Sequence, residues 1–231
     1  MKLVTWNCNG GFRRKIEQAD SLNADVLVIQ ECEDPFSSTA AYRDWAGEYL
    51  WTGSSKHKGI GIFAKNGLRL DALNWDAGGL AHFLAVRVDD RFNILAVWTQ
   101  NASPASSGYI GQFWKYLQIH RQSLNADTLI LGDFNSNSIW DKPGRKWNHS
   151  NCVQELEIDG FKSLYHLARA ETQGQETSPT FYMYRQLSRP FHIDFCFAHE
   201  SKIPLRWSGI SIGDPQEWLC FSDHLPVTIN I

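Results

Sequence analysis

Apolar positions along this chain gather into short strand-like runs, at residues 2–6, 26–30, 60–64, 83–88, 92–99, 128–131, 191–197 and 225–231. Helical patterns lie between them at 13–22, 110–124 and 151–159. In the second of these, Phe113, Tyr116, Leu117 and Leu124 recur at helical spacing and form an apolar stripe. Helices interspersed among many strands predict an α/β (α+β) protein built around a sheet core. The sequence shows no repeat, low-complexity tract or linker, which predicts one domain over 1–231.

Several of the apolar runs end in polar side chains. The stretch "LILGDFNSN" (129–137) passes through Gly132, which is expected to break the run, to Asp133 and Asn135. Residues two apart on an extended strand share a face, so these two would point one way and Phe134 back into the protein. A simple turn is the alternative, since Gly, Asp, Asn and Ser are turn formers. The same ending recurs elsewhere. "KLVTWNCNG" reaches Asn7 and Asn9, "DVLVIQEC" ends near Glu31, "FHIDFCF" holds Asp194 with His192 two residues before it, and "FSDHLP" sets Asp223 beside His224. A lone charge is costly to bury, so repeated placements of this kind suggest groups that satisfy one another or a metal.

Asn7, Glu31, Asp133, Asn135 and Asp223 offer hard oxygen atoms, suited to Mg²⁺, Mn²⁺ or Ca²⁺ rather than zinc or copper. Asp194 and His224 suit another pairing, a carboxylate that orients and charges an imidazole. Ser222 adjoins them in sequence, but neighbouring residues cannot arrange a Ser-His-Asp triad among themselves.

Composition narrows the classes. The 43% hydrophobic content supports a substantial core, and no stretch approaches the ~20 apolar residues of a membrane span. The chain enters a strand-like run directly after Met1 and Lys2, without a signal-peptide pattern. Five cysteines without a C-x-x-C pair imply reduced thiols and a cytoplasmic location, and argue against a zinc framework. A net charge of −3 counts against tight non-specific wrapping of duplex nucleic acid, but not against phosphoester hydrolysis.

Taken in order, "WNCNG", "QE" at 30–31, "GIGIFAK", "GDFNSN", "HIDF" and "SDHLP" resemble the endonuclease/exonuclease/phosphatase superfamily, including its exonuclease III-like and deoxyribonuclease I-like branches. The resemblance implies a four-layer sandwich, two packed mixed β-sheets flanked by helices, with the active site at one end of the sheets. It further implies a Mg²⁺-dependent phosphodiesterase, with Mn²⁺ as a substitute ion, acting as a nuclease on DNA or RNA. Asn7, Glu31 and Asp223 would sit at the metal, with Glu31 its main ligand. Asp133 would orient or deprotonate the attacking water, and Asn135 would hold a phosphate oxygen. His224, held by Asp194, would stabilise phosphoryl charge, and Tyr109 would lie near the scissile phosphate. Two departures stand out. The run "ILAVWTQN" lacks the His of an N-x-H motif, offering Thr99, Gln100 and Asn101, and His192 stands where Arg is common.

Around these residues, Asn9, Lys142, Arg145, Trp147, Arg185 and His192 are the candidates for substrate contact. The loop "SNSIWDKPGRKWNHSN" combines cations with tryptophans, which suits stacking on bases, although the same tryptophans could simply cover the core. "TFYMYR" (180–185) alternates aromatics as a strand would. Two rival readings remain: a phosphatase or phosphodiesterase of a small or lipid-like phosphate, favoured by the mild acidity, and a catalytically silent binding module with the same fold.

Overall fold

The computed structural model describes residues 1–231 apart from Ala81 and Arg206. The first half of the chain supplies strands β1 (Lys2–Asn7), β2 (Val26–Cys32), β3 (Glu48–Ser55), β4 (Lys58–Ala64), β5 (Leu70–Ala72), β6 (Phe83–Val88) and β7 (Phe92–Trp98). The second half supplies β8 (Thr128–Asp133), β9 (Phe161–Ser163), β10 (Phe181–Tyr182), β11 (Pro190–Phe191), β12 (Asp194–His199), β13 (Ile210–Ile212) and β14 (Val227–Asn230). Helices α1 (Ile16–Ser21), α2 (Ala40–Ala46), α3 (Ile110–His120), α4 (His149–Ile158), α5 (Leu164–Arg169) and α6 (Pro215–Trp218) connect them.

Two six-stranded mixed sheets result, in the orders β13-β14-β1-β2-β4-β3 and β5-β6-β7-β8-β12-β9, with β10 and β11 forming a separate pair. Side-chain alternation explains why the strands read as apolar runs. Leu3, Val26, Val28, Ile60 and Ile62 of the first sheet meet Ile94, Ala96, Leu129, Leu131 and Cys196 of the second in one core between the sheets. The opposite faces are apolar too. Val4, Trp6, Leu27 and Ile29 pack against Ala19, Tyr42 and Trp218, while Leu95, Val97 and Ile130 pack against Phe113, Tyr116 and Leu156. The product is helix, sheet, sheet, helix: the four-layer sandwich expected from the motifs.

Strand direction brings the polar endings together. β1 runs parallel to β2, and β7 parallel to β8, so all four can finish at one end of the sandwich. β4, β12 and β14 run antiparallel to their neighbours and therefore start at that end. Parity does the rest. Leu129 and Leu131 face the inter-sheet core, so Asp133 continues the same row at its rim; Leu3 leads likewise to Asn7, and Ala198 and Cys196 lead back to Asp194.

Gly132 does not break its strand. β8 continues through it to Asp133, with a φ of 144°. A Cβ at this position would lie 1.9 Å from the Val97 carbonyl oxygen, so glycine is what lets β7 and β8 stay paired up to the acid. Gly132→Ala is expected to cost about 2–4 kcal/mol in chemical denaturation, because the obstruction is backbone and cannot rotate away.

Three other expectations change. Segment 13–22 starts as a 3-10 turn at Phe12–Arg14 before α1. The run 191–197 is interrupted after Phe191 and resumes at Asp194. Segment 180–185 is strand only at Phe181–Tyr182, then turns tightly with Tyr184 and Arg185 at positive φ. No helix among the described residues is long and apolar enough to cross a membrane.

Candidate active site

At the rim of the inter-sheet space, Asp133 is fully buried and directly opposite Asp194 in the β8–β12 register. Like charges facing each other across a ladder repel, so the surroundings must compensate. Asp133 Oδ2 accepts hydrogen bonds from Asn7 Nδ2 and Asn135 Nδ2, both at 2.8 Å, and Oδ1 accepts one from the Asn135 backbone N–H at 2.8 Å. His224 lies between the two acids. Its Nδ1 is 2.9 Å from Asp194 Oδ2 and its Nε2 3.8 Å from Asp133 Oδ2.

These contacts set the protonation states. Burial pushes the Asp133 carboxyl up to about 7; His224 opposes that rise and Asp194 adds to it. Burial works against charge on His224, but Asp194 and then Asp133 overcome it and raise the imidazole to about 10. The imidazole is thus a cation at neutral pH, held by Asp194 through Nδ1. That fits the pairing expected from the sequence. Ser222 takes no nucleophilic position: its hydroxyl donates to the Asn7 carbonyl at 2.7 Å and accepts from the His224 backbone N–H.

Glu31 comes from the other sheet. A bulge between Gln30 and Cys32 gives it a φ of 65°, a backbone conformation costing about 1–3 kcal/mol in a non-glycine residue. The bulge takes Glu31 out of strict alternation, leaving Gln30 and Cys32 buried on either side. Its Oε1 is 3.3 Å from Asn7 Nδ2 and its Oε2 2.7 Å from the Lys58 ammonium. Asp223 adjoins His224 and adds to the field that favours the charged imidazole.

The donor set suits a hard divalent cation. Fully ionised, Glu31, Asp133, Asp194 and Asp223 would exceed the charge of Lys58 and His224 by two. The protein alone meets part of this excess by holding a proton at Asp133; a divalent ion would meet it instead. Asp133, Asp194 and His224 also bring one ligand atom each within 4.8 Å of one another, with His224 Nδ1 bonded to Asp194. Asn7, expected at the metal, lies between the two acids with its amide nitrogen 2.8 Å from Asp133 and 3.3 Å from Glu31. Its carbonyl Oδ1 accepts from the Asn9 backbone N–H at 3.0 Å, which fixes the amide with its N–H₂ toward the acids. In this orientation Asn7 bridges Glu31 and Asp133.

Asn135, at a φ of 45°, spends both amide hydrogens, on Asp133 and on the Thr99 carbonyl at 2.9 Å. In this arrangement it aims Asp133, and a bond to phosphate would replace one of those two. Beside it opens a groove of about 500 Å³ lined by Tyr109, Trp140, Lys142, Arg145, Phe181 and Met183. Tyr109 is 45% exposed. Phe181 packs against His224 at a tilt, with ring centroids 4.6 Å apart.

Other candidates lie elsewhere. His192 is buried, its Nδ1 2.8 Å from the Ser178 carbonyl and its ring against Tyr165 and Phe195. Burial lowers its pKa, so it brings neither reach nor charge to substrate. Alternation failed there because the backbone leaves the strand: Thr180 Oγ1 accepts from the N–H of both Ile193 and Asp194. The Arg185 guanidinium donates to the carbonyls of Cys220 and Phe221 and braces the loop before His224. Trp147 packs beside Gly111 at the start of α3, with Arg145 5.9 Å above its ring, rather than lining the groove. Asn9 is exposed in a turn at positive φ, and its ordering role runs through its backbone. Sequence reading missed Lys58, Thr180 and Phe181. The available signals were Lys58 heading an apolar run and Phe181 heading an aromatic one.

A buried acid, a charged imidazole and a second carboxylate on the facing sheet form the kind of site that hydrolyses phosphoesters. The chain belongs to the endonuclease/exonuclease/phosphatase family, whose model matches residues 4–224. Family and site together support a phosphoester hydrolase. Among solved structures, an AP endonuclease from Archaeoglobus fulgidus superimposes with a TM-score of 0.73 at 16% identity, covering 100% of both chains. The 3′ phosphatase NExo from Neisseria, bound to product DNA hairpin, gives 0.70 at 19% identity, covering 100% of this chain and 99% of that one. Truncated TDP2 from Caenorhabditis elegans gives 0.63 at 15% identity, covering 98% and 95%. At these identities the likeness is one of fold. No protein of curated function matches in sequence.

Proposed function

We propose that the protein is a divalent-cation-dependent phosphodiesterase acting as a nuclease on DNA. The observation that carries this reading is the hydrogen-bonded unit of Asp133, Asn7 and Asn135, with His224 Nε2 3.8 Å from Asp133, joined to Glu31 across the two sheets and opening onto an aromatic, basic groove. Structural relatives described as an AP endonuclease and as a phosphatase bound to a DNA hairpin support DNA as the substrate class. Glu31 and Asp223 would hold the cation, which when bound would supply positive charge to phosphoryl oxygens. Asp133 accepts the proton of the attacking water, and its raised pKa makes it a base of suitable strength near neutral pH. His224 donates from Nε2 to the charge developing on phosphorus-bound oxygen, and Asp194 keeps it oriented and charged. Tyr109, Lys142 and Arg145 position the strand.

The deciding experiment is Mg²⁺-supported cleavage of a panel: circular and linear DNA, single strands, RNA, and generic phosphate mono- and diesters. DNA cleavage is the expected result, and circular against linear substrate separates internal from terminal cutting. Turnover of small esters alone would overturn the nuclease reading. For the metal, Glu31→Ala is expected to weaken Mn²⁺ binding by roughly tenfold or more in calorimetry. Unchanged affinity would remove Glu31 from the ion.

A further inference from the structure

The parity that assembles the site selects one more side chain. In β4, Ala64, Ile62 and Ile60 face the inter-sheet core, and the next position on that face is the strand's first residue, Lys58. Its ammonium lies 2.7 Å from Glu31 Oε2, and 5.6 Å from the ring centroid of Trp98. Trp98 is buried at the end of β7 and faces the same core. Lys58 therefore reaches in over an indole from the rim: its own side chain is 50% exposed, whereas that of Glu31 is 16% exposed.

We propose that Lys58 is a built-in cation of the site, which holds Glu31 when no divalent ion is bound and turns to the substrate's phosphate oxygens when Glu31 is taken. The inference rests on the reading of Glu31 as the metal carboxylate. A divalent ion bound at either Glu31 oxygen would lie within a few ångströms of the ammonium, and the two cations repel. The repulsion favours displacement of Lys58, and the lysine's flexible four-carbon stem allows it. At the end of β7, where Trp98 pairs with Asp133 of β8, the polar groups on hand bring no positive charge. The Thr99 hydroxyl is spent on the Phe134 carbonyl, the Thr99 carbonyl on Asn135, and burial lowers the pKa of His82, which packs on Trp98. Once displaced, Lys58 supplies positive charge to this edge as a point-charge partner for phosphate.

Two binding measurements on the intact protein test this without relying on turnover: Mn²⁺ by titration calorimetry, and a nuclease-resistant single-stranded phosphorothioate oligonucleotide at saturating Mn²⁺ across a salt series. Lys58→Met is expected to bind Mn²⁺ roughly two- to fivefold more tightly, the worth of a half-exposed pair. It is also expected to bind the oligonucleotide more weakly, with a log–log salt slope smaller by about 0.7. Lys58→Arg should restore that slope. Mn²⁺ affinity that is unchanged or weaker in Lys58→Met, or an unchanged salt slope, overturns the proposal. If wild type and Lys58→Met both bind Mn²⁺ equally and cleave DNA, Lys58 alone is excluded. If neither binds Mn²⁺, the metal reading of Glu31 falls together with it.

Discussion

Asp133→Asn is expected to lower phosphodiesterase activity by roughly 10³-fold while leaving the protein folded. The amide cannot accept a proton from water, and it also cannot satisfy the native contacts. Both Asp133 oxygens accept, one from the Asn135 backbone and the other from the side chains of Asn7 and Asn135. In either orientation the new N–H₂ group meets a donor, at a cost of about 1–3 kcal/mol. Losing the repulsion from Asp194 offsets part of that. Steady-state kinetics together with a melting curve separate the two effects. Activity within tenfold of wild type in a folded variant would take Asp133 out of the chemistry.

The second large effect is on stability against pH in EDTA. His224 rises from 6.5 to about 10 on folding. Its charge therefore stabilises the native state fully below pH 6.5, and the contribution disappears as pH rises through 10. Asp133 rises from 3.8 to about 7, so between those values the folded protein keeps a proton that the unfolded chain has released. Stability falls as pH rises there as well. The metal-free protein should thus lose stability steadily from about pH 4.5 to about pH 9.5 in denaturant titrations. His224→Gln should flatten the upper limb and abolish activity at every pH. Excess Mn²⁺ should flatten the lower limb by favouring the Asp133 carboxylate. A wild-type curve that rises between pH 7 and 9 would contradict the charged imidazole.

Much of this arrangement was legible in the sequence because the strands are buried on both faces. Long apolar runs marked them, and the first polar residue beyond an inner-face row marked the site, as at Asp133 after Leu129 and Leu131. Short or half-exposed strands left no such mark: β3 is open along most of its length, and β5, β9 and β13 have three residues each. The errors fell where the backbone departs from alternation. His192 was assigned to the face of Asp194 as though the strand were continuous, and the Thr180 hydroxyl that breaks it there cannot be inferred from spacing. For Asn7 the spacing marks the position but not the orientation, because the backbone N–H of Asn9 decides which end of the amide faces the acids.

The bond from Asn7 to Asp133 spans from one sheet to the other, and so does the whole reactive cluster. Its internal distances are therefore set by the thickness of the hydrocarbon layer that keeps the sheets apart, made by residues such as Val28, Ile62, Ala96 and Leu131. Catalytic alignment is in this sense a mechanical property of the sandwich: the packed layer acts as a gauge block, and the loops around the groove can change length or composition without altering its setting. A lineage can then exchange one phosphoester for another at the rim while the reacting groups stay in register.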